Sequence, residues 1–136
     1  MDEHELTVAA QIWNRALLED VSSLREGDRA LAGMALADSL IMHDGVLNAV
    51  EIYSESAGEM TAAVAGFLYF GLPQIVSLLA EAMEIFLNGD EEELDKHAVA
   101  LDERYWALAA EGNTPYARFE AVLLANPSAF APLSDQ

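Results

Sequence analysis

Residues 60–80 read MTAAVAGFLYFGLPQIVSLLA, twenty-one residues without a charge. That is the length of a membrane-spanning helix, so the fold turns on whether the stretch is one helix or two. Gly71-Leu72-Pro73 interrupts it near the middle. Glycine ends helices, and proline suits the first turn of the next one. Glu59 and Glu81 flank the stretch, with no Lys or Arg to orient a span. Thr61, Gln74 and Ser77 lower its hydropathy. The stretch therefore reads as two buried helices meeting at Gly71.

Working outward, every other segment also reads as helix. Leu6, Ala10, Trp13, Leu17, Val21 and Leu24 fall on one face of a first helix over residues 5–25, ended by Gly27. Asp28 is the expected N-cap of a second helix reaching residue 42. Asp44-Gly45 breaks the chain, and Asp44 can cap a short third helix over residues 46–53. The fourth helix, residues 59–70, is apolar nearly all round, which predicts a place in the middle of a bundle. Phe67, Tyr69 and Phe70 on it are expected in the core, the alternative being a pocket lining.

The fifth helix runs from Pro73 to Asn88-Gly89, burying Ile75, Leu78, Leu79, Ala82 and Phe86 with Glu81 and Glu84 opposite. The sixth, residues 91–110, buries Leu94, Ala98, Leu101, Tyr105 and Leu108. Acids crowd its first turn, where the helix dipole favours them. Thr114-Pro115 opens a seventh, and Asn126-Pro127 ends it. No run alternates with the period of a strand. The reading is all-α, one compact multi-helix domain of about seven helices over residues 1–136, with a short irregular C-terminal tail from about 127.

The chain has 136 residues, 53% of them hydrophobic, enough for one cored domain. Asp and Glu number 24 against 6 Lys and Arg, a formal net charge of −18. That sign argues against direct nucleic-acid binding, which needs cations against phosphate, and against docking on an anionic membrane. No Cys is present, so disulfides, thiolate chemistry and cysteine zinc sites are excluded. MDEHEL lacks the positive start of a signal peptide, so cytoplasmic residence is the expectation.

Motifs for chemistry are sparse. His4, His43 and His97 lack partners at metal-binding spacing, and His4-Glu5 does not continue into a zincin pattern. Asn88-Gly-Asp-Glu-Glu-Glu is acidic but lacks the alternating ligands of a calcium loop. There is no nucleophile elbow and no phosphate-binding glycine loop. Carboxylates abound without any pair being singled out. No catalytic residue, cofactor or metal is assigned, and a non-enzymatic protein is expected.

The anionic field remains. Twelve acids and no base lie between Arg29 and Lys96. On the sixth helix Glu91, Asp95 and Asp102 share one flank, and Glu92 and Glu103 lie further round. Helical neighbours three or four apart hold their Cβ atoms about 5–6 Å from each other, comparable with the spacing of phosphates along a nucleic-acid strand. A rigid helix can thus offer carboxylates in a phosphate-like array to a basic groove, although a solvated face has the same spacing. Trp106 sits offset toward the acidic side, as a core edge or as an interface anchor.

Several segments resemble a family pattern. AVAGFLYFGLPQIVSLLAEAMEIF at 63–86 resembles an apolar helix ending in Gly-Ala/Leu-Pro and followed by a helix ending in Leu-Phe. LDERYWAL at 101–108 resembles its Leu-Asp-Asp/Glu-x-Phe/Tyr-Tyr-x-Leu segment. Tyr116 through NPSAF at 126–130 resembles its closing helix. His43-Asp44-Gly45-Val46 and the turn from Tyr53 to Gly58 fall where it has Asn-Gly-Gly-Phe and Asn-Ser-Ser-Gly. The family is a small, acidic, bacterial domain of unknown function that includes a DNA-mimic protein. The resemblance implies an all-helical fold and a homodimer and, for one branch, occupation of the DNA site of a basic transcription factor.

Together these readings give a DNA-mimic-like acidic binding protein. It would present Glu91, Glu92, Asp95, Asp102, Glu103, Glu81, Glu84 and Trp106, with help from Glu55 and Glu59, to a basic protein partner. Lys96 and Arg104 scattered among those acids would count against it. The alternatives are an interaction or immunity-like module using an apolar surface, acidity that serves only solubility, and a small-molecule or enzymatic role with a polar pocket of pKa-shifted carboxylates.

Overall fold

The computed structural model describes residues 7–133, so Leu6 and the expected start of the first helix at Glu5 lie outside the described residues. Seven α-helices follow one another: α1 (Val8–Leu18), α2 (Glu26–Asp44), α3 (Val46–Tyr53), α4 (Ala57–Tyr69), α5 (Pro73–Asn88), α6 (Glu91–Leu108) and α7 (Pro115–Ala125). A 3-10 turn, Pro127–Ala129, ends the series, and no strand occurs among the described residues. The uncharged stretch is indeed two helices. Phe70 closes α4, Gly71 adopts φ 79°, and Pro73 opens α5. Among the described residues no helix is long and apolar enough to cross a membrane.

The central element is α2, not α4. It packs against α1, α3, α4 and α7, burying Leu31, Met34, Ala35, Ala37 and Ile41. Although α4 is apolar all round, only Ala63, Gly66 and Phe67 are fully buried on it, and Leu68 faces solvent. Its composition reflects closeness rather than centrality. A Cβ on Gly33 would strike the Ala62 carbonyl oxygen, and one on Gly66 the Ala30 carbonyl oxygen, so α2 and α4 cross almost backbone to backbone. Phe67 and Phe70 are core, and Tyr69 is half-buried edge-on to Phe70.

The first helix ends at Leu18, earlier than its periodicity implies. Asp20 accepts the Ser22 N–H at 2.9 Å, and this local turn competes with another helical turn. The buried residues of α1 are Ile12 and Ala16, with Trp13 and Leu17 half-buried beside them.

Asp28 is not the N-cap of α2 but lies inside its first turn. It is 1% exposed and accepts from Arg25 N, from Arg15 Nη2 at 2.6 Å and from Ala131 N at 2.8 Å. Arg15 and Arg25 also donate to the Ala131, Ser128 and Phe130 carbonyls. The C-terminal segment from 127 is irregular after its 3-10 turn, as expected, and these bonds hold its residues 128–131 against the helices as a strap. Phe130 is buried against Phe70 and Phe119, extending a ring cluster that includes Trp13 and Tyr116.

Candidate functional site

The acidic surface is carried by α5 and α6. Asp90 caps α6, accepting the Glu93 N–H at 2.9 Å, and Glu91, Glu92 and Glu93 fill the first turn. Only Leu101 and Tyr105 of α6 are fully buried, while Leu94, Ala98 and Leu108 are half-buried on the same face. Two partly buried polar contacts tie the helix to α2 and α3. Tyr105 donates its hydroxyl hydrogen to Asp38 Oδ1 on α2 at 2.6 Å, and Asp102 Oδ1 accepts the Val46 N–H of α3 at 2.8 Å. Burial pushes the Asp38 carboxyl above its ordinary value, and the Tyr105 bond opposes that shift. Burial, aided by the nearby Asp38 charge, raises the Tyr105 phenol.

The predicted acids separate into three groups. Glu91, Glu92, Asp95 and Glu103 are exposed on α6, and Glu84 is exposed on α5. None of these five pairs with a cation among the described residues. Glu81 is exposed but held in a two-pronged bond to Arg104, both contacts 2.8 Å, which lowers its carboxyl below the usual range. Asp102 is half-buried, and one of its oxygens serves as the cap that Asp44 was expected to supply. Gly45, at φ 91°, brings its backbone so close that a Cβ there would lie 3.2 Å from Asp102 Oδ2.

Lys96 and Arg104 do fall among these acids. Lys96 Nζ lies 3.9 Å from Glu93, and His97 Nε2 lies 4.0 Å from the same carboxylate. By the 100° step of a helix, Glu93, His97 and Arg104 form the flank toward α5, and Glu91, Asp95 and Asp102 the flank toward α3. Trp106 and Val99 lie between that second flank and Glu92 and Glu103, 54% and 66% exposed. Trp106 is thus not core. Val99 was missed by sequence reasoning, although its spacing of seven from Trp106 was a usable signal. Glu55 is exposed in the α3–α4 turn, and Glu59 belongs to a different face altogether.

The other four cations bond within the chain, with Arg15 and Arg118 half-buried and Arg25 and Arg29 exposed. Arg15, Arg25, Arg29 and Arg118 bond to backbone carbonyls, Arg15 also to Asp28. Arg118 Nε reaches the Phe70 carbonyl at the end of α4.

The face that holds Glu59 is a groove of about 850 Å³. α1 and α4 both pack on α2 without closing on each other, which leaves one stripe of α2 as the floor. Ala32, Leu36 and Leu40 form that floor, with Leu17 and Val21 on one side and Ile52 and Tyr53 on the other. Its acids stand on the rim, and Asp38 is not among its lining residues. A smaller cleft of about 420 Å³ lies between Glu84, Asn88, Glu93 and His97. No group of three His, Asp or Glu side chains able to hold a metal ion occurs among the described residues. Comparison with protein-family models, with curated proteins and with solved structures gives no match.

Proposed function

We propose that this protein is a non-enzymatic, DNA-mimic-like binding protein whose α5–α6 surface docks a basic protein partner, such as a transcription factor. The observation that carries the reading is the division of charge. Four of the six cations bond to acceptors within the chain, Arg15 and Arg118 in partly buried positions and Arg25 and Arg29 at the surface, while Glu84, Glu91, Glu92, Asp95 and Glu103 stand exposed without a cation partner. Lys96, one helical turn after Glu92 and on the same side of α6 as Glu103, and Arg104 both reduce the field and count against the reading, although the bridges they form are to Glu93 and Glu81. Trp106 and Val99 add an apolar centre where a partner side chain can be desolvated.

Capture from lysate tests it, with the tagged chain beside a Glu91→Gln, Glu92→Gln, Asp95→Gln, Glu103→Gln variant. A basic DNA-binding protein should be held at about 0.1 M salt, released at about 1 M, where the screening length shrinks to about 3 Å, and lost on the variant. A partner retained equally by the variant would refute the surface assignment.

A further inference from the structure

We propose that the α1–α2–α4 groove is a docking site for one amphipathic, cationic helix of a partner protein. This goes beyond the α5–α6 reading and stands on a different face. The floor follows α2 from Arg29 to His43, fourteen residues on. At 1.5 Å per residue that is about 21 Å, the length of a four-turn helix. Leu36 and Ile52 line it while 50% and 45% exposed, so the apolar stripe is open to solvent. A helix bearing apolar residues at i, i+3, i+4 and i+7 fills a slot of that shape.

Charge selects the occupant. Glu19, Asp20, Asp44 and Glu59 line the groove against a single permanent cation, Arg29. That guanidinium is tied back to the Leu24 carbonyl at 2.7 Å. His43 Nδ1 is likewise turned to its own helix, 3.0 Å from the Ser39 carbonyl. Lys or Arg residues flanking the apolar stripe of an incoming helix would meet these acids from both walls. A second copy of this chain, itself at −18, would bring acid against acid.

The test uses the full chain and three labelled sixteen-residue probes, read by fluorescence anisotropy. One is a Leu/Lys peptide with a helical apolar stripe, the second has the same composition scrambled to destroy the stripe, and the third replaces Lys by Glu. The striped cationic peptide should bind at least about tenfold more tightly than either control. Leu36→Asn with Ile52→Asn, both half-exposed positions, should abolish that advantage. The surface pair Glu19→Lys with Glu59→Lys should do the same without touching the apolar floor or the Asp20–Ser22 turn. Glu111→Gln with Glu120→Gln, exposed acids outside both faces, should leave it unchanged, which separates groove binding from general attraction to an acidic chain. Equal affinity for the scrambled peptide, or indifference to both groove pairs, overturns the proposal. So does a concentration-dependent dimer of the chain that the Leu36/Ile52 pair dissolves, because the occupant is then a second copy.

Discussion

Asp102 Oδ1 accepts the Val46 N–H at 2.8 Å across 56 residues of sequence, so a carboxylate of α6 closes the N-terminus of α3. The contact makes one predicted surface acid a structural one. Asp102→Ala should cost about 1 kcal/mol, the usual effect of losing a cap, with Asp102→Asn intermediate. Glu103→Gln, on the open face one residue on, should stay within about 0.5 kcal/mol. Urea unfolding of the three variants checks the contrast.

The Tyr105–Asp38 bond gives a pH dependence with a definite sign. Burial raises the Asp38 carboxyl above its ordinary 3.8 in the folded state. The native chain then holds a proton that the unfolded chain has released, so this group's contribution to stability falls as pH rises from about 4 through the raised value. Tyr105→Phe removes the bond that favours the carboxylate. Its cost should be about 1.5–3 kcal/mol at neutral pH and smaller at acid pH, where Asp38 is protonated. Unfolding free energies over that range should show the gap narrowing, and Asp38→Asn should flatten this part of the profile.

The C-terminal strap depends on Asp28, which is buried and paired with Arg15. Arg15→Met leaves that carboxylate without its cation and should cost about 3–5 kcal/mol. Phe130→Ala should cost a similar amount by opening a cavity among Phe70 and Phe119. Both variants should become sensitive to proteolysis near residues 126–132, a region held by bonds from Arg15, Arg25 and Asp28.

Two glycines of α4 should respond in opposite directions. Gly66→Ala forces a methyl into the Ala30 carbonyl and should destabilise by at least about 1–3 kcal/mol. Gly58→Ala meets nothing within 4 Å and should stabilise by about 0.4–1 kcal/mol through the unfolded chain. Thermal melts of the two variants against the parent test this.

Local punctuation was legible in the sequence, and long-range partnership was not. Gly71-Leu72-Pro73 and Thr114-Pro115 set the starts of α5 and α7, and α3 occupies the expected residues 46–53, because turns and caps act over a few residues. Asp28 and Asp44 were each given a cap by proximity. Arg15, 13 residues before Asp28, and Ala131, 103 after it, claim the first, while Asp102 supplies the α3 cap expected of the second. Apolar composition on α4 recorded a close helix crossing rather than a central position. The exposure of the α6 acids followed from the Leu94–Leu101–Tyr105 face, but the Glu81–Arg104 clamp needs the α5–α6 packing to be seen. The groove was hidden because α2 is apolar on more than one side, so periodicity does not say which stripe is left open.

Arg104→Ala should tighten capture of the basic partner at about 0.1 M salt, since it removes a cation and frees Glu81. The effect should vanish at high salt, where exposed charges are screened.

The most direct measurement is competition. The captured basic protein is bound to a fluorescent DNA duplex and titrated with the parent chain and with the Glu91→Gln, Glu92→Gln, Asp95→Gln, Glu103→Gln variant. The account predicts that the parent chain displaces the duplex competitively and that the variant needs at least about tenfold more. Formation of a ternary complex with the duplex still bound, or equal displacement by both chains, would contradict it.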